Sequence, residues 1–161
     1  MNQFDPNAFL DLPVDTPFER RKALPAIDYT AQILSVNARQ WQSKDKYDEA
    51  TGQLKSGVAL DVEVELQIPE SVKAEIGLQG STFKLKESIM VDANATGGID
   101  TAPGRNQQLM RWREACDMNK PGIVFRPREM AGKLIKLRIK HEEYPAGSGQ
   151  LQERVGAVAK L

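Results

Sequence analysis

The clearest pattern in the chain is the alternation of Leu60, Val62, Val64, Leu66 and Ile68 with Asp61, Glu63, Glu65 and Gln67. A period of two puts one set of side chains on a buried face and the other in water, so this segment reads as a strand stopped by Pro69. The period recurs over residues 82–91, where Phe83, Leu85, Ile89 and Val91 share one face and Lys84, Lys86, Ser88 and Met90 the other. Glu87 falls on the apolar face, and a bulge or frayed register is the expected accommodation. Ile135, Leu137 and Ile139, set against Lys136, Arg138 and Lys140, predict a strand over residues 134–141, and a last strand is expected at 153–159. The opening strand is placed at residues 29–36, running on towards Trp41. Residues 43–57 read as a long hairpin loop with turn formers around 48–52.

Between the third and fourth strands the period changes. Leu109, Trp112, Ala115 and Cys116 fall at i, i+3, i+6 and i+7 and make one apolar stripe. They predict a short amphipathic helix over residues 107–118, ended by Asn119, Pro121 and Gly122, with Arg105, Arg111 and Arg113 mainly off the stripe. Residues 92–104 and 144–150 are rich in turn formers and read as loops, and 70–80 as a short connection with one helical turn. In residues 1–25, Pro6, Pro13, Pro17 and Pro25 break regular structure, and Phe4, Phe9, Leu10, Leu12 and Phe18 follow no period. This is an arm, which either packs loosely over the body or binds a partner through interleaved acidic and aromatic residues. The order strand–strand–strand–helix–strand–strand predicts a mainly β domain over residues 26–161. The expected architecture is a five-stranded Greek-key barrel of the OB type, with one helix between strands 3 and 4.

The length of 161 residues suits one such domain plus the arm. No run of about 18 apolar residues is present, so no transmembrane helix is expected. The acidic N-terminus lacks the basic and apolar regions of a secretory signal. A single cysteine, Cys116, excludes an intramolecular disulfide and fits a reducing cytoplasm. The formal net charge is zero, from 22 basic and 22 acidic side chains, which argues against strong non-specific duplex binding. The charge is unevenly spread: residues 1–104 carry 10 basic and 16 acidic side chains, whereas 105–144 carry 10 and 5. A local basic face attracts phosphate even on a neutral chain.

Most catalytic chemistry lacks support. One histidine and one cysteine do not build a zinc site. Asp61, Glu63 and Glu65 share a strand face and are the only candidates to hold a hard cation, as a small nuclease would need. The expected reading is a solvated face paired across the sheet with Lys84 and Lys86. No nucleophile turn or phosphate-cradling loop is present, and His141 has no second member of a catalytic pair nearby in sequence. What remains is stacking and phosphate contact. Trp41 and Tyr47 flank Lys44 and Lys46, with Arg39 just before, and Tyr144 follows Lys136, Arg138 and Lys140. Aromatic faces with cations along a groove are what a single-strand binder needs. The structural alternatives are a lid over a barrel end for Trp41 and a solubility face for the lysines. The acidic face of the second strand would repel DNA, so a groove is expected nearer the loops and the fourth strand.

The chain resembles phage-encoded single-stranded DNA-binding proteins of the OB-fold type, found beside replication and recombination genes. The resemblance rests on DYTAQILSVNARQW (28–41), GVALDVEVEL (57–66), RWREACDM (111–118), GKLIKLRIKHEEY (132–144) and RVGAVAKL (154–161). It implies sequence-independent coating of single-stranded DNA, no catalysis and no cofactor. The nucleic-acid contacts it implies fall on Trp41, Lys44, Lys46, Tyr47, Lys84, Lys86, Arg138, Lys140 and Tyr144. Many such proteins end in an acidic tail that recruits replication partners; this chain ends in Ala159-Lys160-Leu161, and contacts with replication or recombination proteins are expected through the acidic arm instead. A homo-oligomer through an edge strand is a further expectation. The competing reading is a non-enzymatic viral structural or adaptor protein that uses a small β-barrel for protein contacts.

Overall fold

The computed structural model describes residues 3–161. Five strands, β1 (Asp28–Tyr47), β2 (Leu54–Gln67), β3 (Thr82–Val91), β4 (Leu134–Glu143) and β5 (Leu151–Lys160), form one antiparallel sheet in the order β3-β2-β1-β4-β5. Three helices accompany it, α1 (Pro6–Leu10), α2 (Glu70–Ile76) and α3 (Gln107–Ala115), with a 3-10 turn at Pro127–Met130. The two edge strands, β3 and β5, come into contact, so the sheet curls in a barrel-like manner while its hydrogen-bonded ladder stays open.

The alternating segments bury the face their sequence assigns to the interior. Val62, Val64 and Leu66 on β2, and Ile135, Leu137 and Ile139 on β4, are buried. Each such side chain contributes about 1.5–3 kcal/mol of hydrophobic stabilisation. Leu109, Trp112 and Ala115 of α3 close the same core. Pairing along β3 is continuous from Thr82 to Val91, so Glu87 causes no bulge. Its side chain is half-buried, and Gln108 Nε2 donates to its carboxylate at 3.0 Å. The helix stops at Ala115, earlier than its apolar stripe, because Cys116 caps it and Asp117 adopts a left-handed φ of 60°.

The first hairpin differs most from expectation. Residues 43–47 and 54–57 are strand, and only residues 48–53 turn. Asp48 builds that turn: its Oδ1 accepts the Ala50 and Thr51 N–H groups at 2.8 and 3.1 Å, and Gly52 supplies φ +69°. The alternation that reveals a strand needs one dry face, and most side chains here face water, so the sequence carries no such signal. A β-bulge at Leu34 separates this part from the rest: β1 pairs with β4 only as far as Gln32, and its register with β2 shifts between Ile33 and Ser35. Beyond the Val58–Val91 pair β2 also loses β3, leaving a two-stranded ribbon from Trp41 and Gly57 outwards.

The N-terminal segment holds two features absent from the sequence reading. Asp5 caps α1 through the Asn7 and Ala8 N–H groups at 3.0 and 3.3 Å, and Pro6 opens the helix, where a proline is tolerated. Leu24 is fully buried. Its N–H donates to Glu153 Oε1 at 2.9 Å, and its carbonyl accepts from His141 Nε2 at 2.6 Å. Arg21 pairs with the same carboxylate at 2.7 Å and lies 4.8 Å over the Phe83 ring. Residues 21–24 are thus fastened to the body, and His141 is occupied as a structural donor.

Candidate nucleic-acid interface

The ribbon carries Trp41, Lys44, Lys46 and Tyr47, and Arg39 stands just before it, where β2 is still paired with β3. Trp41 stands opposite Gly57 in the ladder, and its indole lies over the glycine: a Cβ at Gly57 would come within 2.9 Å of Trp41 Nε1 and 3.1 Å of Cε2 and Cζ2. The absence of a side chain at position 57 therefore seats the indole flat against backbone, half-buried on the ribbon rather than over a barrel end. Replacing Gly57 with valine should dislodge the ring and destabilise the hairpin by about 1 kcal/mol. The check is the emission spectrum, in which the Trp41 component should shift to the red; an unchanged spectrum would show that the indole does not rest on Gly57. Tyr47, at the ribbon's far end, is 61% exposed.

On the sheet's outer face the charges largely satisfy one another. Arg39 Nε donates to Asp61 Oδ2 at 2.9 Å, and the Ser88 hydroxyl donates to Asp61 Oδ1 at 2.6 Å. The Ser88 hydrogen bond, opposed by burial and aided by Arg39, holds the Asp61 carboxyl below the usual carboxylate range. Lys84 faces Glu65 in register but reaches diagonally to Glu63 at 3.8 Å. Arg138 holds Asp28 through two bonds of 2.7 and 3.2 Å, which lowers the Asp28 pKa and raises that of Arg138. These pairs leave Lys44, Lys46, Lys86, Lys136 and Lys140 without an ion-pair partner among the described residues. The Lys84–Glu63 and Arg138–Asp28 pairs are exposed on both sides and contribute little stability, so a phosphate can compete for their cations, whereas Asp61 is buried beside Arg39.

Register also decides which groups stand together. Arg138 lies opposite Asp28, at the start of β1, and β4 runs on past it. Tyr144, 69% exposed, therefore stands beyond the start of β1, whereas Tyr47 is the last residue of β1 at the opposite end. The ribbon gathers Trp41, Lys44, Lys46 and Tyr47, with Arg39 at its base; Lys84 and Lys86 project from β3; Lys136, Lys140 and Tyr144 form a separate group on β4 and its loop. One element escaped the sequence reading: a groove of about 560 Å³ between α3, β3 and the β4–β5 pair, lined by Arg111 and Lys140 among others. The only trace of it in the sequence is that Arg111 falls off the apolar stripe.

No protein-family model matches the chain, and no curated protein is significantly similar to it.

Other chemistry is limited by what the side chains already do. The Cys116 thiol is buried, and burial pushes its pKa up to about 11, so it is a poor nucleophile. Among the described residues, no three or more His, Cys, Asp or Glu side chains cluster as a metal site would require, and Asp61 is committed to Arg39 and Ser88. No described helix is long and apolar enough to cross a membrane.

Proposed function

We propose that this chain is a single-stranded DNA-binding protein of the OB type, coating transient single strands without sequence preference, of the kind encoded beside phage replication and recombination genes. The observation that carries this reading is the ribbon, which extends past the core and presents an indole, a phenol and two unpaired lysines, Lys44 and Lys46. A base stacked on an aromatic side chain contributes about 1–3 kcal/mol whatever its identity, and lysines beside the ring hold the backbone. The strand order, with β4 returning beside β1 after the β1–β2–β3 meander, supports an OB-type Greek key. Neutralisation of the acidic β2 stripe by Arg39 and Lys84 removes much of its repulsion for phosphate.

The test is a titration with unlabelled oligo-dT and a matched duplex at low and high salt, read by tryptophan fluorescence and mobility shift. Saturable single-strand binding that weakens with salt and is much poorer for duplex is expected. Trp41→Ala should weaken it by about tenfold, the loss of one stacked base. No binding at low salt would remove this reading. The second reading, a viral structural or adaptor protein, is favoured by the internal pairing of Arg39, Lys84 and Arg138, which ties three of the candidate cations to carboxylates.

A further inference from the structure

The arm and the α3 groove are complementary. Residues 12–15 belong to no helix or strand, and Leu12 and Val14 alternate with Asp11, Pro13 and Asp15. That is a strand's period on a segment outside the sheet. Its apolar side chains are bare: Leu12 is 61% and Val14 71% exposed, and Phe18 is 93% exposed. Residues 3–19 carry four acids, Asp5, Asp11, Asp15 and Glu19, and no base.

The groove offers what such a segment lacks. β5 is an edge strand, and Val155–Val158 form one wall of the groove, with the second ladder of hydrogen-bonding groups on β5 unpaired. Trp112 borders the groove from α3 but is itself buried, so the apolar contact on offer comes from the half-buried Val155 and Val158 of β5. Arg111 and Lys140 line it as exposed cations without an ion-pair partner among the described residues. The acids nearby are already engaged: Glu87 accepts from Gln108, and Glu142 pairs with Arg154 at 2.9 Å. An unpaired edge is a template for another strand.

We propose that residues 11–16 of one copy add as a strand to the β5 edge of a second copy. Leu12 and Val14 turn towards the Trp112 side, and Asp11 and Asp15 meet Lys140 and Arg111. Pro13 shares parity with the two acids and fits an edge position in the strand direction that turns its missing N–H away from β5. Reciprocal exchange of the two arms closes the assembly as a two-fold dimer.

The test uses the full chain. Sedimentation of the parent should show a concentration-dependent dimer. Reversing the arm charges (Asp11→Lys with Asp15→Lys) or the groove charges (Arg111→Glu with Lys140→Glu) should each weaken association by about tenfold or more, and combining the two sets in one chain should restore it. These side chains are exposed, so the variants should fold as the parent does, which circular dichroism verifies. A second measurement fixes the address: Val14→Cys protein mixed with Ala157→Cys protein should form a disulfide between copies. A monomer at all concentrations, failure of the combined reversal to restore the dimer, or a cross-link that forms only within a chain carrying both cysteines would overturn the proposal.

Discussion

Trp112→Ala is expected to destabilise the protein by about 3–5 kcal/mol, the range for deleting a large aromatic side chain from a packed core. Trp112 is 2% exposed and is the largest fully buried side chain among the described residues. It lies on α3 against the sheet, so its loss leaves a cavity lined by two elements that cannot both relax into it. Whole-domain stabilities of about 5–15 kcal/mol make this about a fifth or more of the total, and the melting temperature should drop by roughly 10 °C. Urea unfolding followed by far-UV circular dichroism checks the figure. A loss below about 1 kcal/mol would contradict the packing of α3 on the core. Binding of single strands well below the melting temperature should survive, which separates this tryptophan from Trp41.

Glu153→Ala is expected to cost about 2–3 kcal/mol at neutral pH, because it orphans the Leu24 N–H and strips Arg21 of its partner. The Arg21 end is about one-third exposed, so its share is discounted for solvent screening. Burial pulls the Glu153 pKa upwards, but the Leu24 N–H and the Arg21 guanidinium outweigh it, and the folded value lies below the ordinary 4.5. A depressed carboxylate contributes stability that is fully present above its unfolded pKa and is lost as pH falls through the folded one. Glu153→Gln isolates this term, since it keeps the volume and removes the charge. The gap between parent and Glu153→Gln in urea unfolding should be open at neutral pH and close progressively below about pH 4.5. A gap that does not change with pH would show that the carboxylate is not held as described.

What could be read from the sequence follows from where a dry face exists. β2, β3 and β4 alternate against a core, so their strand character and inward faces were visible in the residue order, and β3 spans the residues expected of it. The ribbon has little dry face, and its strands were hidden although Trp41, Lys44, Lys46 and Tyr47 stood out as residue types. Leu24 carries no periodic signal, and its burial depends on Glu153 and His141, more than a hundred residues away. The charge pairing was visible in outline only. Lysines were expected opposite the β2 acids, but the contact of Arg39 with Asp61 depends on the register of β1, which the bulge at Leu34 sets.

That bulge has a mechanical consequence. Before it, β1 is clamped between β2 and β4; further along, the two-stranded ribbon is held by its own turn and by the indole on Gly57. The ladder is thereby divided into a part that opens only when the whole domain unfolds and a part that can open alone. The free energy needed to order the ribbon around a ligand is then set within some twenty residues, and sequence changes there can tune affinity without drawing on the stability of the core.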